Sequence, residues 1–220
     1  MIIMSIATTG ILAGLFSCPN HEPTIVNVNL ISENLQIDNR YTKDQLAQMN
    51  KGSISPTHNG DFPLISGLTN SNIKVSTETS FTYATSPMLK RSCIWAGTID
   101  VNLYYAPVMY ISKSYKPSSC RYTETKNHEL KHVGVDVDTL KSYNSYIKQT
   151  AEIAAKDQAD IIVNPEKLGS TQKILSQKIA SAVQVAISKM EENLKVRQRQ
   201  IDTRAEYNRL SSTCPNEPNR

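Results

Sequence analysis

A chain of 220 residues is long enough for one domain with a full apolar core, with or without an extension, and a single domain accounts for it. Its formal charge of +4 is spread along the sequence without an aromatic-interleaved basic stripe, which argues against nucleic acid as a partner. The mild basicity reads as ordinary solubility, and the one denser stretch, KVRQRQIDTR over 195–204, as a solvated helix face.

The first seventeen residues, MIIMSIATTGILAGLFS, carry no charged side chain, and their apolar run is short for a membrane span, so they read as a secretory signal. LFSC at 15–18 matches the pattern in which a small residue precedes a cysteine that is cleaved and lipidated. Cys18 is therefore a candidate for membrane attachment, with simple cleavage as the alternative. Four cysteines fit an exported chain, in the periplasm, the cell envelope or outside the cell. A bridge from Cys93 to Cys120 would tie sheet to helix and leave Cys18 and Cys214 for a second, but four cysteines permit three pairings. None has C-x-x-C spacing, which argues against a cysteine-ligated zinc.

Residues 18–71, rich in Asn, Ser, Pro and Gly, read as an extended tether and wrapping segment, with a brief helix over 42–50 capped by Thr42. Alternation of Ile73, Val75, Thr77 and Thr79 predicts a strand over 72–85. Two more strands are expected in 93–115, interrupted at Ala106-Pro107 because proline cannot donate to a ladder.

Leu130, Val133, Val137, Leu140, Ile147, Ala151 and Ala154 keep a three-four spacing that predicts a helix over about 126–158. After the turn residues of 164–170, with Ser170 as an N-cap, Leu175, Ile179, Ala182, Val183, Ala186, Met190 and Leu194 mark a second helix to about 200. A short connection between the two predicts antiparallel packing. The expected fold class is α+β, a small antiparallel sheet packed on a long antiparallel helical hairpin. Residues 1–17 form the signal, 72–214 the domain that carries the chemistry and 215–220 a tail.

The chemistry centres on HELKH, 128–132. Residues i and i+4 share one helix face, so the imidazoles of His128 and His132 can meet one zinc ion at about 2.0–2.1 Å each. Glu129 is rotated by roughly 100° from His128, which sets its carboxylate beside the open coordination position as a general base for water. This is the H-E-x-x-H spacing of zinc hydrolases. Its competitor is a solvated helix on which two histidines happen to share a face.

A catalytic zinc takes three protein ligands. Asp136 and Asp138 follow the motif, but on a continuing helix Asp136 sits another turn of about 5.4 Å beyond His132 and is too short to join it. With residue 164 as the centre of the connection, His128 lies 36 residues before it and residue 200 lies 36 after, so the hairpin returns the stretch after 200 to the motif. That stretch offers Glu206 as the leading candidate ligand, with Asp202 and Tyr207 as alternatives and Tyr207 also a candidate oxyanion donor. Thr203-x-x-Glu206 is equally a capping box that would start a short terminal helix. His58 in SPTHNG and His21 read as loop and tether histidines, Tyr143 and Tyr146 as packing tyrosines on the motif helix. The strand VMYIS, 108–112, could hold a peptide by main-chain pairing if its edge is free.

Strands, then SSCRYTETKNHELKHV, then a long helical hairpin ending in IDTRAEY resembles the predicted secreted zinc-dependent protease family of bacteria, over roughly residues 72–214. The residues that carry the resemblance are His128, Glu129 and His132, the preceding Cys120 and Tyr122, and the later Asp202. Where the family has a histidine five residues after the aspartate, this chain has Tyr207. The resemblance implies an exported zinc metallopeptidase acting on a peptide or protein substrate. The rival expectation is a non-enzymatic envelope lipoprotein, a binding module with a relic or absent metal site.

Overall fold

The structure is a computed structural model and describes residues 16–50 and 66–217. Most of the expected signal and His58 lie outside these residues. Among the described residues, one five-stranded sheet and four α-helices make a mixed α and β fold.

Strand β4 (Arg91–Ile111) is the axis of the sheet. Along it Ile99, Val101, Leu103, Tyr105, Met109 and Ile111 point inward and are buried, alternating with residues such as Asp100 and Asn102 on the open face. Strand β3 (Gly67–Ser86) pairs antiparallel along the length of β4, from Gly67 opposite Ile111 to Ser86 opposite Arg91. The other edge of β4 is lined end to end by three short strands. They are β5 (Ile161–Val163), antiparallel against Ser92–Ile94, then β1 (Ile25–Ser32) against Thr98–Tyr105 and β2 (Gln36–Asp38) against Val108–Tyr110, both parallel.

The sheet is therefore mixed, not antiparallel throughout, because a segment expected to wrap the domain enters the sheet. In β1, Val26 is buried and Val28 and Leu30 pack on the core, while Asn27 and Asn29 bond Asp100 and Asn102 on the open face. The expected break at Ala106-Pro107 is absent. Pro107 faces Ser71 of β3 on one side and on the other falls in the gap between β1 and β2, where neither short strand asks it for a hydrogen bond. Val108–Tyr110 is paired on both sides, so the peptide-binding edge expected there is occupied.

Helix α1 (Lys43–Met49) starts in a capping box of Thr42 and Gln45. Helix α2 (Cys120–Asp157) begins six residues earlier than the apolar stripe suggested, and α3 (Leu168–Arg199) follows a 3-10 turn at Pro165–Lys167. Ser170 is not its cap; the hydroxyl donates to the Lys167 carbonyl from inside the first turn. Cross-helix bonds join Gln198 to His132, Lys189 to Tyr146 and Lys178 to Gln158, so α2 and α3 run in opposite directions. Leu140, Ile147, Ala151 and Ala155 of α2 and Ile179, Val183, Ala186, Ile187 and Met190 of α3 meet the inward face of β4 in one apolar core. Each fully buried Leu, Ile, Val or Met side chain contributes about 1.5–3 kcal/mol there.

Two disulfides, Cys18–Cys93 and Cys120–Cys214, close the structure and fit an oxidising compartment. The weighed pairing of Cys93 with Cys120 does not form. The segment before β1 runs beside the start of β4, where Thr24 donates to the Ala96 carbonyl, and this brings Cys18 to Cys93. The bridge engages the Cys18 sulfur that a thioether lipid would need. No described helix is long and apolar enough to cross a membrane.

Candidate metal centre

Over residues 120–139 α2 departs from the apolar stripe. Arg121, Thr125, His128, Glu129, Asp136 and Thr139 are its buried residues there, whereas Leu130, expected to face the core, is 40% exposed. Polar side chains fill the space between α2, the start of β3 and the end of α3. A buried polar set persists only when its members find partners.

The α2 N-terminus is fixed from two directions. Ser119 accepts from the Tyr122 amide, and the Glu217 carboxylate accepts from the amides of Cys120 at 2.8 Å and Arg121 at 2.9 Å, satisfying donors that a helix start leaves open. The Arg121 guanidinium donates to the carbonyls of Leu210, Ser211, Cys214 and Glu217, and Cys120 is bridged to Cys214. The chain after α3 is thereby clasped to the motif helix. Thr203 caps α4 (Arg204–Thr213) by accepting from the Glu206 amide, and Asp202 lies in the turn just before it.

Three donor atoms converge in this space. His128 Nε2 and His132 Nε2 are 3.4 Å apart, and Asp202 Oδ1 lies 3.2 Å from the first and 3.3 Å from the second. Four ligands placed tetrahedrally at about 2.0–2.1 Å from an ion are separated by about 3.3 Å along each edge. The triangle of donors thus has the dimensions of one face of a zinc shell.

The outer nitrogens of both rings are engaged. His132 Nδ1 meets Gln198 Oε1 at 2.5 Å, and His128 Nδ1 meets Glu206 Oε1 at 3.4 Å. Gln198 is oriented by its amide group, which donates to the His132 carbonyl at 3.0 Å and to the Asp136 carboxylate, so its oxygen must face the ring. Both outer partners are acceptors. In neutral rings they favour protons on Nδ1, which would leave the Nε2 lone pairs to an ion in the triangle, the arrangement found around ligating histidines. Without an ion, Asp202 Oδ1 is an acceptor beside both Nε2 atoms. Two imidazole nitrogens and a carboxylate oxygen form a donor set that could hold a metal ion.

Electrostatics agree with a cation-binding site. Burial works against the charge of Asp202, but bonds from His128, His132 and Tyr207 and the charge of His132 hold its carboxyl well below the usual range. Burial likewise lowers the His132 pKa, yet the Asp202 bond, the charges of Glu129 and Asp202 and the Gln198 bond prevail and hold it at about 9. Burial raises the pKa of Glu129, opposed by the two histidines and by Thr69, whose hydroxyl donates to Oε2 at 2.8 Å. A side chain at Gly67 would bring Cβ to 2.6 Å from Glu129 Oε1 and from Thr125 Cγ2, so glycine is what lets β3 close over this carboxylate.

Of the residues singled out in the sequence, His128, His132 and Asp202 come together and Glu129 adjoins them. Glu206 is not in the donor triangle. Its carboxylate is bound by Arg209 and by Lys131 at 2.6 Å and faces the outer edge of the His128 ring, so Asp202 takes the inner position. Tyr207 donates its hydroxyl to Asp202 Oδ1 at 3.0 Å, and burial with the adjacent Asp202 charge raises its pKa and keeps it a donor. Asp136 is bonded to Gln198 and not to the donor triangle, and Asp138 is exposed. His21 stacks on Trp95 and bonds Asp160, apart from the centre. Tyr143 and Tyr146 line a shallow groove with Ser142 and Lys189, Tyr146 about 21 Å along α2 from His132.

No protein-family model, curated protein or solved structure matches the chain. What the centre can do follows from its own donors. Sequence reasoning missed Gln198, Thr69 and Gly67. Gln198 was within reach of the same fold-back arithmetic, since its mirror position about residue 164 is 130, the middle of the motif.

Proposed function

We propose that the chain is an exported zinc-dependent hydrolase of peptide bonds, with His128, His132 and Asp202 holding the metal and Glu129 serving as general base. The observation that carries this reading is the donor triangle, whose edges of 3.2–3.4 Å match one face of a tetrahedral zinc shell. When bound, zinc supplies Lewis acidity that lowers the pKa of a water and polarises a carbonyl. Glu129 takes the proton of the attacking water and returns it to the departing amine, and a carboxylate whose pKa is raised by burial suits both halves of that transfer. Thr69 holds one carboxylate oxygen and fixes the direction from which Glu129 acts. Tyr207 serves as a positioning residue, holding Asp202 through its hydroxyl.

The peptide substrate rests on the resemblance to secreted zinc-dependent proteases, and export on the apolar N-terminal stretch and the two disulfides. The shelter of Glu129, only 4% exposed, favours a second reading in which the same ion is structural and the domain binds a partner without hydrolysing it. Peptidase assays on an unfolded protein substrate separate the two. Glu129→Gln is expected to keep zinc and abolish hydrolysis, and His132→Ala to lose both. A zinc-loaded wild-type chain with no hydrolysis would favour the binding module.

A further inference from the structure

The buried carboxylate of Asp136 has no part in the donor triangle, and its partners are arranged in sequence. Oδ2 accepts from Ser71 of β3 and, at 3.1 Å, from Tyr105 of β4; Oδ1 accepts from the Gln198 amide. Gln198 donates from the same nitrogen to the His132 carbonyl and offers its oxygen to His132 Nδ1. A continuous line of bonds therefore runs from two strands through α2 and α3 to the outer edge of one candidate ligand. The outer nitrogen of the other ring has a longer contact: His128 Nδ1 meets Glu206 Oε1 at 3.4 Å, and Glu206 is engaged from its other side by Lys131 and Arg209.

The geometry points to Gln198, held by Asp136, as the positioning residue that fixes His132 in its Nδ1–H tautomer and so sets the metal affinity of the centre. A carboxamide can turn over, presenting NH2 where its oxygen stood, and then it would favour the opposite tautomer, with the proton on Nε2 facing the ion. Two acceptors prevent the turn. The His132 carbonyl and the Asp136 carboxylate both demand the NH2 group, and Ser71 and Tyr105 keep that carboxylate in place. Outer partners of this kind change metal affinity by roughly 10–100-fold when removed. The inference rests on the zinc reading for its effect on affinity, while the tautomer is read in the metal-free chain, where Gln198 Oε1 at 2.5 Å from Nδ1 competes with Asp202 Oδ1 at 3.3 Å from Nε2.

The test uses the full chain and two variants, Gln198→Leu and Asp136→Asn. Zinc affinity is read by competition with a chromogenic chelator, and ring tautomers by 15N shifts of the metal-free chain at a pH that leaves both imidazoles neutral. Gln198→Leu is expected to weaken zinc by roughly 10–100-fold and to shift His132 toward the Nε2–H form while His128 keeps its proton on Nδ1. Asp136→Asn is expected to change the same two quantities in the same direction by less. An unchanged His132 tautomer with zinc affinity within about threefold of wild type would overturn the proposal, and so would an equal shift of both rings, the mark of general loosening. If the wild-type chain fails to bind zinc, the metal reading falls while the tautomer measurement still decides the role of Gln198.

Discussion

Cys120 and Cys214 are separated by 94 residues and bonded to each other, and their bridge clasps the segment carrying Asp202 to the helix carrying His128. Replacing both with serine opens a long loop and is expected to cost about 2–5 kcal/mol of stability, read by chemical denaturation. Because the segment carrying Asp202 then loses its covalent tie to α2 and keeps only noncovalent ones, among them the bonds of Arg121 and Glu217, zinc affinity should fall as well. Serines at Cys18 and Cys93 should destabilise the chain without this loss of affinity, since that bridge anchors the start of β4.

Asp202 and Glu206 are four residues apart but face opposite edges of the His128 ring. Asp202→Ala is expected to weaken zinc by more than 100-fold, beyond the effect of an outer partner, and Glu206→Gln by roughly 10–100-fold. Isothermal titration with zinc ranks the two. The reverse ranking would restore Glu206 as the third ligand.

Gly67→Ala places a methyl group where Glu129 Oε1 and Thr125 Cγ2 stand. Relieving a 2.6 Å approach requires the carboxylate to shift, at a cost of about 1–3 kcal/mol for overpacking. Zinc content should be retained while peptide hydrolysis falls sharply, because the change touches the proposed general base and not the donors. Loss of zinc along with activity would mean that Gly67 supports the whole centre.

Proton and metal compete for His132. In the metal-free chain its pKa of about 9 lies above the ordinary 6.5, so the protonated ring contributes stability that is fully present below pH 6.5 and lost as pH rises through 9. The contribution is at most about 3 kcal/mol. Zinc requires the neutral ring, so the loaded chain should not show this loss, and its affinity should rise over the same interval. Melting curves with zinc and with chelator, taken from pH 6 to 9.5, should therefore diverge as pH increases.

How far the sequence revealed this arrangement depends on which pattern each residue followed. HELKH was legible because its spacing has a mechanical cause, and the fold-back about residue 164 predicts that the stretch after 200, with Asp202, Glu206 and Tyr207, returns to the motif. The same periodicity misled at Leu130, which is exposed because the N-terminal part of α2 buries threonines, histidine and carboxylates instead. An apolar stripe fails where a site occupies the core side of a helix. β1 was hidden by its asparagines: IVNVNLIS alternates as a strand does, but its central outward positions, 27 and 29, are Asn, a residue depleted in strands. Choosing Asp202 over Glu206 needed the side chains themselves, since Lys131 and Arg209 decide which carboxylate is free to turn inward.

The most direct measurement is elemental analysis of the purified, folded chain beside His132→Ala. About one zinc per chain in the wild type, absent from the variant and removed by chelator with a fall in melting temperature, is the expected result. A folded wild-type chain that carries no zinc, takes up none when it is supplied and melts at the same temperature with or without chelator would contradict the account.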